Sequence, residues 1–307
     1  MRAVQGFADW MKTVQVAMEQ ALASYLPSAA QVPARLHEAM RYAALDGGKR
    51  VRPLLVFAAG ELFDADAGAL SRAAAAVEMI HAYSLVHDDM PCMDDDALRR
   101  GKPTVHVKYD DATALLVGDA LQAQAFLVLS EGESLSDPAR QLAMLRLLAH
   151  AAGSAGMCGG QAIDLASVGL TLSLAELERM HRLKTGALLR ASVLLGALCG
   201  KTLNESETAA LEAYADAIGL AFQVVDDVLD ATADSATLGK TAGKDAADNK
   251  PTYVSILGLE PSRALAGKLR DDAHGALAQF GTQFETQFGN KAQRLRELAD
   301  LIVQRKT

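Results

Sequence analysis

Alternating runs of Val, Ile and Thr are missing from this chain, and aromatic residues make up only 5% of it. Both absences argue against sheets, which draw on β-branched and aromatic side chains. With half of the residues apolar and alanine abundant, the composition favours helices and supplies a substantial core. Cysteine is scarce. Cys92, Cys158 and Cys199 are odd in number and widely spaced, so neither a disulfide framework nor a zinc spacing fits, and a reducing cytoplasm is the expected home. Positive charge is in deficit: a formal net charge of −8 argues against a nucleic-acid partner. It does not argue against an anionic substrate, because local clusters and bound metal set the field at a site. No stretch of about 20 residues is apolar without charge, so no membrane span is expected. The N-terminal MRAVQGFADWMKTVQ has no apolar core and no small-residue cleavage site, so no secretory signal is expected. No linker rich in Pro, Gly or Ser divides residues 1–307, which predicts a single domain.

What is present is helical periodicity. The apolar spacing predicts helices over 6–25, 34–45, 69–90, 111–130, 139–157, 174–200 and 205–230, with two more between 262 and 305. Gly47-Gly48 ends one helix, and Pro53 stands where the first turn of the next tolerates it. The segment 232–250 (TADSATLGKTAGKDAADNK) is small, polar and charged, and reads either as a mobile lid or as a solvated loop.

Two acidic clusters stand out against the apolar background. LVHDDMPCMDDD carries Asp88, Asp89 and Asp94, and FQVVDDVLD carries Asp226, Asp227 and Asp230. Asp226 and Asp230 are four apart and share a helical face, which Gln223 joins from three residues before. At a separation of about 4 Å and an effective dielectric near 20, each unpaired carboxylate couple costs roughly 4 kcal/mol, and a divalent ion reverses that sign. Hard oxygen ligands with room left for phosphate suit Mg²⁺. His81, Ser84 and Asp88 share a face, and Asp94 must swing back past Pro91 to meet Asp88.

Basic residues cluster separately. GGKRVRP supplies Lys49, Arg50 and Arg52, and LRRGKPT supplies Arg99, Arg100 and Lys102. Arginine forks and helix-entry amides hold diphosphates well, so two anion sites are expected, one held through metal and one by cations directly. Lys184-Thr185-Gly186 interrupts a long helix. Gly186 weakens it by roughly 1 kcal/mol relative to alanine, and a local bend there would turn Thr185 toward a cavity. GMCGGQAIDL (156–165) has glycines for close helix approach, with Gln161 and Asp164 as its polar members.

Taken together, GGKRVRP, HAYSLVHDDMPCMDDDALRRGKPT, GQAIDL, LKTG, FQVVDDVLD and LGKT…NKPTY resemble, in order and over nearly the whole chain, the trans-isoprenyl diphosphate synthases (polyprenyl synthetases), most closely the bacterial farnesyl-producing members. The resemblance implies an all-α bundle around a central cavity, a homodimer, and two or three Mg²⁺ ions. It places Asp88 and Asp94 on one metal-binding wall and Asp226 on the other, with Asp89, Asp227 and Asp230 in support. It assigns Arg99, Lys184, Thr185, Gln223 and Lys240, assisted by Lys250, to the allylic diphosphate. Lys49, Arg52, His81 and Arg100 fall to isopentenyl diphosphate. Asn249 stands where the family often has glycine.

The reaction so implied is departure of diphosphate from the allylic substrate, attack by the isopentenyl double bond and loss of a proton. Thr185 and Gln223 oxygens would stabilise the cation. Tyr83, beside Ser84 and five residues before Asp88, would act as a floor that stops growth at fifteen carbons; the alternative for Tyr83 is ordinary core packing. A geranylgeranyl or longer-chain synthase differs only in cavity depth and stays open. A terpene cyclase has no need of the cations around Lys49 and Arg52. A metal phosphohydrolase using His87-Asp88 leaves the second acidic cluster unexplained. A non-catalytic partner subunit would have lost an acidic cluster.

Overall fold

A computed structural model describes residues 6–131, 137–232, 251–278, 280 and 291–305. The chain forms α1 (Phe7–Tyr25), α2 (Ala34–Ala44), α3 (Val51–Leu62), α4 (Ala67–Asp88), α5 (Val105–Lys108), α6 (Asp111–Ser130), α7 (Pro138–Ala152), α8 (Met157–Ala166) and α9 (Leu174–His181). A π-helical turn, Arg182–Gly186, leads into α10 (Ala187–Gly200) and α11 (Glu205–Thr232). The chain continues through α12 (Tyr253–Leu257), α13 (Leu259–Ala276) and α14 (Gln293–Gln304). A two-residue hairpin, β1 (Leu98–Arg99) with β2 (Lys102–Pro103), is the one strand pairing among the described residues. The fold is all-α, as composition predicts.

Local chemistry explains the helix starts. Asp66 caps α4 through the amides of Gly68 and Ala69, Asp110 caps α6, and Asp137 caps α7 with Pro138 in its first turn. Ser173 and Glu176 close a reciprocal capping box on α9. The helix expected over 139–157 instead ends at Ala152. Gly153 and Gly156 make a tight turn there, with the Gly156 amide on the Gly153 carbonyl at 3.0 Å, and a separate α8 begins at Met157. The polar segment 233–250, with Lys240 and Lys250, lies outside the described residues.

The centre is built from α3, α4, α10 and α11. Residues 73–80 of α4 are buried without interruption, and so are residues 191–197 of α10. A helix apolar on all sides is a core helix. Small residues set the spacing: a Cβ at Gly196 of α10 would lie 2.1 Å from the Val56 carbonyl oxygen of α3, so only glycine allows that approach. Around this centre, α6 packs on α4, α13 on α11, and α14 on both α3 and α11, where Tyr214 donates to the Leu295 carbonyl at 2.6 Å. Two helical stretches, Asp111–Ser130 and Leu174–Gly200, are long and apolar enough to cross a membrane. The second includes the π turn and packs into the body, and the first lies along α4.

His181, at the end of α9, is buried with neither ring nitrogen hydrogen-bonded, and its ring stacks on Tyr253 at 5.6 Å and 21°. Burial drives its pKa from 6.5 down to about 4, against the pull of Asp164 and with a small push from Lys184. The unfolded chain therefore binds this proton more readily than the folded one. The contribution of neutral His181 to stability is complete above pH 6.5 and drains away as the pH falls toward about 4. It is on the order of 3 kcal/mol. In chemical denaturation from pH 7.5 to 4.5, His181→Phe should lose less stability on acidification than the parent; parallel profiles would contradict this.

Candidate active site

The first acidic wall is the C-terminus of α4. Asp88 closes the helix, and the following loop doubles back so that the Asp94 amide donates to the Asp88 carbonyl at 2.9 Å and the Asp96 amide to that of Asp89 at 3.2 Å. The return past Pro91 required by the sequence is thus made by backbone bonds. Adjacent residues at a helix end point about 100° apart, and the two aspartates divide accordingly. Asp88 lines the main cavity, while Asp89 is buried and gripped by Arg99 through bonds of 2.5 to 2.8 Å. Arg99, expected on a diphosphate, is paired with that carboxylate here, its side chain still one-third exposed.

On α11 the second Asp-Asp pair divides in the same way. Asp226 is half-buried and meets Arg305 at 2.7 Å. Asp227 is buried: its Oδ1 accepts from the Gln223 amide at 3.0 Å and its Oδ2 from the Tyr253 backbone N–H at 2.7 Å. Asp230 is buried one turn further on. Arg305 also donates to the Phe222 carbonyl at 2.6 Å and lies over the Phe222 ring at 3.8 Å. Sequence reading passes over Arg305, because nothing local distinguishes a basic residue at the end of α14.

Between these walls lies the Lys-Thr-Gly segment, in the π turn where the sequence places a bend. Such a turn widens the helix by one residue and is common at functional sites. Thr185 donates to Gln223 Oε1 at 3.3 Å, which ties the turn to the second acidic wall. Lys184 Nζ meets buried Asp164 Oδ2 at 2.5 Å. Asp164, left undecided between packing and site by sequence, sets the position of this lysine. Gly160 of α8 lies directly beneath: a Cβ there would fall 2.1 Å from the Lys184 backbone nitrogen.

Two cavities meet here. The main one, about 470 Å³, is lined by Asp88, Lys184, Thr185 and Gln161 at its polar end, and by Met90, Met93, Met157, Leu165 and Tyr83 beyond. Tyr83 is buried, its hydroxyl 3.5 Å from Cys158 Sγ and its ring edge-on to His87 at 5.8 Å. The Ser84 hydroxyl turns back to the His81 carbonyl at 2.9 Å, so it offers the cavity little polarity. The second cavity, about 440 Å³, is lined by Gly47, Gly48, Lys49, Arg52, His81 and Arg100, with Phe222 at its rim. Arg52 and His81 belong to both walls. Gly48, at φ 89°, lets Arg100 cross over it, since a Cβ would come within 2.8 Å of that guanidinium. Arg50, in the same basic motif, has another task. It sits at φ 53° with its side chain buried, paired at 2.5 Å with both Glu78 and Glu19, and it anchors the entry to α3.

The electrostatics are those of a site waiting for ligands. Burial, with Asp94 nearby, pushes the Asp88 carboxyl up to about 6 despite Lys184. Burial and the surrounding arginines hold His81 well below its usual value, and Arg52 and Arg100 are lowered by burial and by their cationic neighbours. Lys49 is lowered by burial and Arg305, with Asp226 opposing. Crowded, desolvated cations of one sign suit an anion. A half-buried pair of neighbouring carboxylates, Asp88 and Asp94, suits a hard cation, so the donor set at Asp88 fits Mg²⁺. Among the described residues, no three His, Cys, Asp or Glu side chains converge as a ready-made metal cage. Asp88 ends α4, Asp94 lies in the loop after it and Asp226 stands on α11 instead.

The polyprenyl synthetase family model matches residues 33–277. The chain belongs to that family. It is 52% identical over 270 residues to a farnesyl diphosphate synthase of Escherichia coli K12, a match covering 87% of this chain and 88% of the relative. Its fold is similar to the crystal structure of an FPP/GFPP synthase from Zymomonas mobilis, with TM-score 0.86 and 45% identity over 97% of this chain and 98% of that one. It is also similar to a geranyltransferase from Helicobacter pylori solved with magnesium and isoprenyl diphosphate, with TM-score 0.85 and 30% identity over 99% and 100% of the two chains. The family membership accords with the carboxylate-edged cavity and its adjoining cationic neighbour.

The packing of α8 on the π turn is directly testable. Gly160→Ala should lower stability by about 1–3 kcal/mol by forcing α8 away from Lys184. Gly267→Ala, in α13 where a Cβ meets nothing within 4 Å, should raise it by a few tenths to about 1 kcal/mol. Urea titrations of the two variants check the opposite signs.

Proposed function

We propose that the chain condenses isopentenyl diphosphate with dimethylallyl and then geranyl diphosphate, giving farnesyl diphosphate and free diphosphate. The observation that carries this reading is the pair of adjoining cavities, one carboxylate-edged with an apolar depth and one ringed by cations, sharing Arg52 and His81. Two mutually repelling diphosphates can be held side by side only if each meets its own counter-charges, and alignment of the reacting carbons is the main catalytic gain.

In this reading isopentenyl diphosphate occupies the cationic cavity on Lys49, Arg52, Arg100 and His81. The allylic diphosphate lies between Asp88 and Lys184, with its hydrocarbon tail directed toward Tyr83. Mg²⁺ held by Asp88 and Asp94 on one wall and by Asp226 on the other supplies, when bound, charge neutralisation of the departing diphosphate. The Helicobacter pylori relative with magnesium and isoprenyl diphosphate supports that choice. As the allylic C–O bond breaks, Lys184 faces the growing negative charge, with Lys240 and Lys250 assigned by motif to the same group. Thr185 and Gln223 oxygens face the allylic cation. The isopentenyl double bond attacks it to form the new C–C bond, and the proton lost next goes to the released diphosphate. Met90, Met93, Met157 and Leu165 keep water from the cation. Asp89, Asp227 and Asp230 back the metal-facing carboxylates.

The same proposal takes the chain as one cytoplasmic domain working as a homodimer. Contacts from α14 to both α3 and α11 support one domain. Leu116 and Leu127 on α6, 54% and 48% exposed, support a second copy as the cover of that face.

With isopentenyl diphosphate and either allylic starter, the purified protein should release a fifteen-carbon prenol after phosphatase treatment, and chelation should abolish turnover. A protein inert with both starters in Mg²⁺ would end this reading. Tyr83→Ala should shift products to twenty carbons and beyond by opening the cavity floor. An unchanged product length would reduce Tyr83 to core packing.

A further inference from the structure

The π turn that carries Lys184 and Thr185 is held at both of its ends, and both tethers converge on one carboxylate. From its C-terminal side, Thr185 reaches Gln223 at 3.3 Å, and Gln223 reaches Asp227 Oδ1 at 3.0 Å. From its N-terminal side, His181, the residue before the turn, stacks on Tyr253 at 5.6 Å and 21°. The Tyr253 backbone N–H then reaches Asp227 Oδ2 at 2.7 Å. The loop of contacts is closed: turn, Thr185, Gln223, Asp227, Tyr253, His181, turn.

We propose that Tyr253 and His181 are positioning residues for allylic diphosphate binding, acting through the π turn rather than touching substrate. Tyr253 closes the LGKT…NKPTY motif with no role assigned to it, His181 belongs to none of the quoted motifs, and the mechanism above uses neither. Tyr253 is fully buried and His181 nearly so, yet the Tyr253 hydroxyl and both His181 ring nitrogens are left without hydrogen bonds. Their polar atoms therefore do not explain the pairing; the face-to-face rings do. A π turn carries one residue more than an α-helical turn and has weaker internal bonding, so its shape depends on such outside supports. The ring stack fixes where the turn begins and the Thr185–Gln223 bond fixes where its fourth side chain points. Lys184, between them, is directed to Asp164 and to the cavity edge opposite Asp88. The isopentenyl cavity has none of these residues in its wall. Loosening the stack is thus felt by the allylic substrate and not by isopentenyl diphosphate.

This inference rests on the prenyl-transfer reading, and steady-state kinetics separate the two. Tyr253→Phe keeps the ring and should remain within twofold of the parent in every constant. Tyr253→Leu should raise KM for geranyl diphosphate at least tenfold and lower kcat, with KM for isopentenyl diphosphate changed less than twofold. His181→Leu, which leaves the Tyr253 amide on Asp227, should repeat that pattern, and His181→Phe should restore most of the loss. In combination with Thr185→Ala, Tyr253→Leu should add less than its separate effect, because both act on one turn. Equal rises in both KM values, an unchanged KM for geranyl diphosphate, or full additivity with Thr185→Ala would overturn the inference while leaving the reaction in place. Failure of both leucine variants to fold would also overturn it, making the pair a core element. A parent enzyme that forms no product would strike the underlying reading instead.

Discussion

Desolvated charge is the constraint on which the rest of this molecule depends. Carboxylates at the ends of two core helices, and cations at the entry to a third, are drawn into a protein interior where none can stand without an opposite charge. Part of the demand is met within the fold, as Arg50 with Glu78 and Glu19 and Asp89 with Arg99. Elsewhere the balance is incomplete: burial raises the Asp88 carboxyl despite Lys184, and lowers Arg52, Arg100 and His81. The two sets call for ligands of opposite sign, a divalent cation on one side and a diphosphate on the other. A reaction between two diphosphates in the presence of Mg²⁺ satisfies both at once.

The doublets show how a helix end divides labour. In Asp88-Asp89 the first residue borders the cavity and the second is buried and bound to the scaffold; in Asp226-Asp227 the first is half-buried against Arg305 and the second is buried and bound by Gln223 and Tyr253. Consecutive side chains diverge by about 100°, so one can face ligand only if its neighbour faces the core. The buried member then needs a partner, and that partner is what orients the exposed one. Lys49 and Arg50 divide in a comparable way, with Arg50 sequestered by two glutamates and Lys49 left at the cavity. Positioning of this kind lets charged ligands sit on rigid helices rather than on loops.

Much of the fold was legible in advance. Apolar periodicity placed 111–130 at its observed bounds and came within two residues for the helices predicted over 6–25, 34–45, 69–90 and 205–230. The Gly186 irregularity announced the π turn. Where the reading failed, the cause was local. Gly153 and Gly156 split the stretch 139–157, and the hairpin at 98–103 is too short to leave a period. The motifs named many of the residues that line the two cavities, Asp88, Lys184 and Thr185 in one, Lys49 and Arg100 in the other, and Arg52 and His81 in both. The pairing of the site's charges was not legible: Arg99 and Arg50 look identical in sequence to Arg100 and Arg52, yet the first pairs with Asp89 and the second with Glu78 and Glu19. Arg305 and His181 carried no motif at all, and Tyr253, the last residue of LGKT…NKPTY, carried no assigned role.

The sequence by itself determined the helical class, the chemistry of the two acidic motifs and the presence of separate basic clusters. Each of those depends on residue type and short spacing along one helix. Only the tertiary structure decided which carboxylates and cations face the cavities, that Arg52 and His81 stand in the wall of both, and that Asp227 is bound by Gln223 and Tyr253, the residues that meet Thr185 and His181 at the π turn. Those depend on contacts between helices far apart in the chain, where burial and the nearest opposite charge set the role of each side chain.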